Sequence, residues 1–248
     1  MKPKIVSVFS GVGGIDLGFE KAGFETVFAS DIWNKACESL KANFPNSEII
    51  CDTIENVDFK KIKKQHKVID GLVGGPPCPP FSKSRFYRKE KERGIDDEDG
   101  FMTVSNYFRA VEELNPKFFF FENVQGFVFK PHHTALELVQ KESERLGYKI
   151  FHNVLNAADF GVPQTRQRFI CIGVKKTMED LSTIFTYLLH LLELLPNQGR
   201  NTISLLTIGI SSFRNLTQSK NNSGLILTAF PVQSLKAQKI NHFQKISP

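Results

Sequence analysis

Short β-branched runs alternate with stretches of helical spacing from Lys4 to Val174. Lys4-Ile5-Val6-Ser7-Val8-Phe9 reads as a strand that runs into Ser10-Gly11-Val12-Gly13-Gly14. Ile15 to Gly23 then has helical spacing and ends on a glycine suited to a C-cap. Thr26 to Ser30 predicts a second strand ending at Asp31-Ile32-Trp33, and Asn34 to Asn43 a helix. Ser47 to Cys51 predicts a third strand, closed by Asp52-Thr53, and a lysine-rich amphipathic stretch follows from Asp58 to Lys67. Val68 to Val73 reads as a buried fourth strand that stops at the pair Gly74-Gly75. A helix is expected over Phe101 to Leu114 and a strongly apolar fifth strand over Pro116 to Phe121, ending in Glu122-Asn123-Val124. Thr134 to Leu146 is a helix closed by Gly147, and Lys149 to Leu155 a sixth strand. After the turn Asp159-Phe160-Gly161-Val162-Pro163, Gln164-Thr165-Arg166-Gln167-Arg168 enters a seventh strand, Phe169 to Val174. Strand, glycine turn and helix, repeated with alternating elements, is the pattern of a nucleotide-type α/β fold.

The alternation stops near Lys175. Leu181 to Leu195 is apolar and helix-like, but His190 and Glu193 interrupt it. From Leu194 to Pro248 there is no Asp or Glu, against six Lys or Arg. Residues 1–175 are therefore expected to form the main domain, and 176–248 a small subdomain, a partner-interface segment or a disordered tail. At 248 residues the chain is long enough to bury a substantial core. Its net charge of +6 is a weak hint of an anionic partner. The four cysteines are far apart without metal-type spacing, so free thiols and no metal are expected. No signal peptide is evident, and no run reaches the ~18 apolar residues of a membrane span, so no membrane association is expected.

The candidate chemistry gathers at the ends of the strands. Gly11, Gly13 and Gly14 permit a tight turn and close approach of backbone to a ligand, although a plain βα turn would use them equally. Asp31, about 20 residues past the glycines, stands where such folds bind a ribose hydroxyl; a helix N-cap is the other reading. Asp52 holds the equivalent position on the next strand. In Gly74-Gly75-Pro76-Pro77-Cys78-Pro79-Pro80-Phe81-Ser82, four prolines fix φ and remove backbone donors, so Cys78 sits in a stiff loop. Basic residues from Lys83 to Arg93 follow it, so Cys78 is either a thiolate beside a polyanion or an incidental small residue in a turn. Glu122, at the tip of a central strand, is expected to be partly desolvated and able to donate a proton near neutrality. Arg166 and Arg168 alternate, which puts them on one face, suited to an anion or a carbonyl unless they are plain surface arginines.

Phe9-Ser10-Gly11-x-Gly13-Gly14, Asp31, Asp52, Gly74-x-Pro76-Pro77-Cys78-x-x-Phe81-Ser82, Glu122-Asn123-Val124 and Gln164-x-Arg166-x-Arg168, in this order and spacing, resemble the DNA cytosine-5 methyltransferases. The resemblance implies a Rossmann-like S-adenosylmethionine-dependent methyltransferase fold, a mostly parallel seven-stranded sheet with helices on both faces. It implies that Cys78, as thiolate, attacks carbon 6 of a cytosine flipped out of duplex DNA, so that carbon 5 can accept a methyl group. Glu122 would protonate or hydrogen-bond ring nitrogen 3. Arg168 would contact the cytosine carbonyl oxygen, with Arg166 supporting it. For the cofactor, Phe9 would stack near the adenine and the three glycines would approach the amino-acid end. Asp31 would bind the ribose and Asp52 the adenine amine, with Ile32, Thr53 and Pro77 in the same pocket. The residue after the nucleophile, often Gln in the family, is Pro79, which removes one side-chain hydrogen bond to DNA.

Single-chain members of that family continue into a target recognition domain, a helix-forming motif and a Gly-Asn segment that packs beside the glycine motif. None is recognisable from Lys175 to Pro248. The chain resembles the alpha, catalytic half of a split, heterodimeric methyltransferase of bacterial restriction–modification systems. That implies a bacterial cytoplasmic location and a second subunit with the recognition domain and last motifs. Two rivals remain: a truncated, non-catalytic relic that binds cofactor or nucleic acid, and an RNA cytosine-5 methyltransferase.

Overall fold

The computed structural model describes residues 2–77, 98–129 and 133–176. The elements in chain order are β1 (Lys4–Val8), α1 (Gly14–Lys21), β2 (Glu25–Asp31), α2 (Asn34–Asn43), β3 (Glu48–Cys51), α3 (Phe59–His66) and β4 (Gly71–Gly74). They continue with α4 (Glu98–Leu114), β5 (Phe118–Val124), α5 (His133–Arg145), β6 (Tyr148–Asn156) and β7 (Gln167–Lys175). Cys78, the basic loop from Lys83 to Arg93, and Leu181 to Pro248 lie outside the described residues.

The strands form one seven-stranded sheet in the order β3-β2-β1-β4-β5-β7-β6. β1 pairs parallel with β2 and β4, β2 with β3, and β4 with β5. β7 alone runs antiparallel, against both β5 and β6. The expected α/β fold with a mostly parallel sheet is thus observed. The chain moves outward from β1 to β3, then returns to the other side of β1 as β4. That reversal opens a crevice at the carboxyl ends of β1 and β4, where open α/β sheets bind ligands. Because β7 is antiparallel, its first residues reach the same edge.

Helices cover both faces. On one face Phe19 and Ala22 of the α1 region pack with Phe24, Ile5, Val73 and Phe118. On the other, Phe59 and Ile62 of α3, Tyr107, Phe108 and Val111 of α4 and Val139 of α5 pack on Val6, Leu72, Phe119 and Phe121. β4 is buried at every residue, as a central parallel strand must be. Two phenylalanines of β5 are accommodated by glycines on its neighbours: Phe118 pairs with Gly71 and Phe119 with Gly173. A Cβ on Gly71 or Gly173 would collide with the ring of Phe118 or Phe119. This corrects the fourth strand. It does not run from Val68 and stop before Gly74; it begins at Gly71 and includes Gly74, while Val68 is exposed. The glycines there are strand residues: Gly71 leaves room for the Phe118 ring, and Gly74 for the close approach of the Val8 carbonyl.

The cysteine expectation is corrected too. Cys37 and Cys51 are joined as a disulfide, with Cα atoms 5.8 Å apart, whereas Cys171 is a buried free thiol. The β2–α2–β3 passage folds back so that the start of α2 meets the end of β3, an adjacency that sequence spacing does not reveal. Among the described residues no helix is long and apolar enough to cross a membrane.

Candidate functional site

The site begins where β1 ends. Phe9 adopts φ 52, a left-handed conformation that is costly for an aromatic residue, and Gly11 and Gly13 follow at φ 56 and 88. The turn is closed by Gly13 N–H donating to Ser10 O at 2.9 Å, and it is tied to β2 by Ser10 N–H donating to Ser30 O at 3.1 Å. A side chain at Gly13 would strike the Phe44 ring, whereas one at Gly11 or Gly14 would meet nothing within 4 Å. The turn is therefore an open cradle lined by backbone. Asp31 closes its side. Its two carboxylate oxygens accept from Gly11 N–H at 2.8 Å and from Trp33 N–H at 2.9 Å. The residue at the start of α2 is Trp33, without a side-chain cap, so Asp31 is not the helix cap and instead links the two loops. Ile32 and Trp33 beside it are 69% and 62% exposed, leaving an apolar surface next to the cradle. Asp52 follows β3 and is exposed; its Oδ1 accepts from Thr53 N–H at 2.7 Å and Asn56 Nδ2 at 2.9 Å.

The second half of the site is built by β4, β5 and β7. Glu122 and Asn123 lie within β5 rather than beyond its end, because the pairing with β7 continues to Val124↔Arg168. Glu122 Oε1 forms an ion pair with Arg168 Nε at 2.8 Å, both side chains being 25% exposed. Gly75 lies against the same carboxylate: a Cβ there would sit 2.8 Å from Glu122 Oε2. Burial pushes the Glu122 carboxyl above its ordinary value, and the charges of Arg168 and Arg166 oppose that rise. A carboxyl shifted upward holds a proton closer to neutrality, as a proton donor must. Arg166 immediately precedes β7, and its backbone N–H donates to Asn156 Oδ1 at 3.0 Å. Both arginines act on Glu122. Pro77 is exposed at the end of the described loop, and Cys78 follows it outside the described residues.

Two further participants are not apparent from sequence. Asn123 is 2% exposed and donates from Nδ2 to Pro76 O at 3.4 Å, which ties the proline loop to β5. Its place in Glu122-Asn123-Val124 was the available signal. Asp16, in the first turn of α1, is fully buried, and neither of its oxygens has a hydrogen-bond partner of normal geometry. Its neighbour Ser7 is engaged with Ser10, Oγ to Oγ 2.7 Å. Burial raises Asp16 from 3.8 to about 6, with the Ser7 hydroxyl opposing the rise.

Residues 3–224 match the family model of the C-5 cytosine-specific DNA methylases. The Type II methyltransferase M.NgoPII of Neisseria gonorrhoeae is 39% identical over 178 residues, 71% of this chain and 49% of its own length. The Type II methyltransferase M.AquIA of Picosynechococcus is 38% identical over 185 residues, 70% of this chain and 72% of its own. M.NgoFVII of Neisseria gonorrhoeae, at 35% identity, aligns with 91% of this chain and 56% of its own length. Similarity thus extends past the seventh strand, beyond what the motifs alone reveal. Among solved structures, DNMT2 of Spodoptera frugiperda superposes with a TM-score of 0.57 at 26% identity, over 72% of this chain and 51% of that one. The chain spans about half the length of most of these relatives.

Proposed function

The chain belongs to the C-5 cytosine-specific DNA methylase family, and from that premise we propose that it carries the catalytic part of an S-adenosylmethionine-dependent DNA cytosine-5 methyltransferase of a restriction–modification system. The observation that carries this reading is the Arg168–Glu122 pair beside Gly75, on the same sheet edge as the open glycine cradle. The cradle suits S-adenosylmethionine: backbone at Gly11 and Gly14 is approachable, Asp31 is fixed for a ribose and Ile32 offers an apolar face, and the family resemblance assigns Phe9, Asp52, Thr53 and Pro77 to the same pocket. When bound, the cofactor supplies an electrophilic methyl group.

The residues of the chain do the rest. Cys78, next to Pro77, attacks carbon 6 of the flipped cytosine as thiolate. Negative charge then develops in the ring, and Glu122 delivers a proton or a hydrogen bond to nitrogen 3. Arg168 orients that carboxyl and reaches the carbonyl oxygen, while Arg166 adds positive charge. Asn123 holds the proline loop, and with it the approach to Cys78, against β5.

A second polypeptide supplies target recognition and the far wall of the cofactor pocket. Two observations support this. The M.AquIA relative is matched over most of its length, so a family member of similar extent exists. Leu17 of α1 is 49% exposed and Val12 of the cradle 55%, an apolar face beside the cofactor loop. The test is tritiated methyl transfer to duplex DNA and to RNA, with the chain alone and mixed with the neighbouring gene product. Site-specific labelling of DNA by the mixture alone is expected. Full activity of the chain alone would refute the second subunit, labelling of RNA alone would refute the substrate, and no activity in any mixture would refute the enzyme.

A further inference from the structure

Cys37 lies in the first turns of α2 and Cys51 ends β3, 14 residues apart in the chain. Both adjoin the acids assigned to the cofactor. Cys37 follows Asp31-Ile32-Trp33, and its sulfur is 3.2 Å from Asp31 O. Cys51 directly precedes Asp52-Thr53, and its sulfur is 3.1 Å from Asn34 Oδ1. β3 is a four-residue edge strand with no fully buried residue, paired only with β2, and Asp31↔Cys51 is the last pair of that ladder. Little packing holds the strand end from which Asp52 projects. The bond to Cys37 is therefore the strongest restraint on it.

We propose that Cys37 and Cys51 form a reversible dithiol–disulfide site that fixes the spacing of the Asp31 and Asp52 loops and so sets the affinity for S-adenosylmethionine. The proposal rests on the assignment of both acids to the cofactor. Cys37 is 2% exposed and Cys51 is exposed, which divides their roles. The Cys51 thiolate attacks one sulfur of a small-molecule disulfide, releasing one thiol and leaving a mixed disulfide. The Cys37 thiolate then attacks the Cys51 sulfur and releases the second thiol. Two protein thiols are oxidised, one disulfide is reduced to two thiols, and the two protons pass to the departing thiolates. A dithiol reductant reverses both steps. Reversible bridges of this kind are the ones expected in a reducing compartment.

The test uses the full chain carrying Cys78→Ser, so that oxidation at the proposed nucleophile does not enter. The protein is equilibrated with glutathione buffers of graded redox ratio, alkylated, and mapped by mass spectrometry, while S-adenosylmethionine binding is measured by equilibrium dialysis. The linked Cys37–Cys51 peptide should appear in oxidising buffer and disappear in reducing buffer, with affinity falling roughly fivefold or more on reduction as preorganisation is lost. Cys51→Ser should bind as the reduced form does in both buffers. Absence of the linked peptide under all ratios, or equal affinity in its two states, overturns the proposal. Asp31→Ala and Asp52→Ala separate the underlying assignment: if both retain full affinity, the cofactor assignment fails and the proposal with it. If both lose binding while reduction changes nothing, only the redox proposal fails.

Discussion

Glu122 is pulled in two directions, by burial that favours its protonated form and by Arg168 at 2.8 Å that favours the carboxylate. Burial dominates, so its proton is held more tightly than in an unfolded chain. Methyl transfer that needs the protonated form should decline as pH rises through the raised value. Arg168→Ala removes the opposing charge, and the alkaline limb of the rate profile should move to higher pH, although the rate itself falls. Glu122→Gln should slow the chemical step by roughly 10²-fold or more while cofactor affinity, read by dialysis, changes little. Asp16 makes a separate prediction about stability. Its folded value of about 6 lies above the ordinary 3.8, so the folded state binds the proton more tightly. The stability tied to that proton is fully present below pH ~4 and is lost as pH rises to about 6. Asp16→Asn cannot ionise. Relative to that variant, wild type should therefore be about 2–3 kcal/mol more stable at low pH than at neutral pH, because each pH unit separating the folded and unfolded values is worth ~1.4 kcal/mol. Denaturant titrations of both proteins across the range measure this, and parallel pH profiles would contradict it.

At the scale of elements, β5 and its glycine neighbours show what a sequence discloses and what it hides. The strands, their order along the chain and the acids at their ends follow from short β-branched runs closed by polar residues. The bounds of β4 did not, because the pair Gly74-Gly75 resembles a strand breaker until Gly74 is seen paired with Phe121 and pressed against the Val8 carbonyl of β1. Asp31 was legible as a strand-end acid, yet only the fold shows it bonding to Gly11 and not capping α2. The buried Asp16, the Asn123 tie to Pro76 and the Cys37–Cys51 bond depend on contacts between separate elements, which no local spacing encodes. Gly75 gives the sharpest test at this scale. Gly75→Ala puts a methyl group 2.8 Å from Glu122 Oε2, so the carboxylate has to shift and its geometry against Arg168 should change. Activity should fall at least ~10-fold, the scale of a misplaced catalytic group. Thermal stability should change little, since the loop is at the sheet edge. By contrast Gly173→Ala drives a methyl into the Phe119 ring within the sheet and should cost about 1–3 kcal/mol in denaturant unfolding, as overpacking does.

For the whole molecule, the described residues hold the open glycine cradle and the Glu122–Arg168 pair, while the relatives it matches are mostly about twice as long. Base-specific contacts are assigned to another polypeptide, so the chain alone should bind DNA through phosphates, with strong salt sensitivity and no site preference. Leu17→Arg, on the exposed face of α1, should weaken association with that polypeptide in sedimentation without unfolding the chain. The central claim, that Cys78 attacks a cytosine held by Glu122 and Arg168, is tested most directly by covalent trapping. Duplex DNA carrying 5-fluorocytosine at the target is incubated with S-adenosylmethionine, the chain and its proposed partner, and the products are separated under denaturing conditions. Fluorine cannot leave as the proton does, so the wild-type chain should remain bonded to the DNA through Cys78, and Cys78→Ser should give no adduct. An adduct undiminished in Cys78→Ser, or none from a wild-type mixture that methylates ordinary DNA, would contradict it.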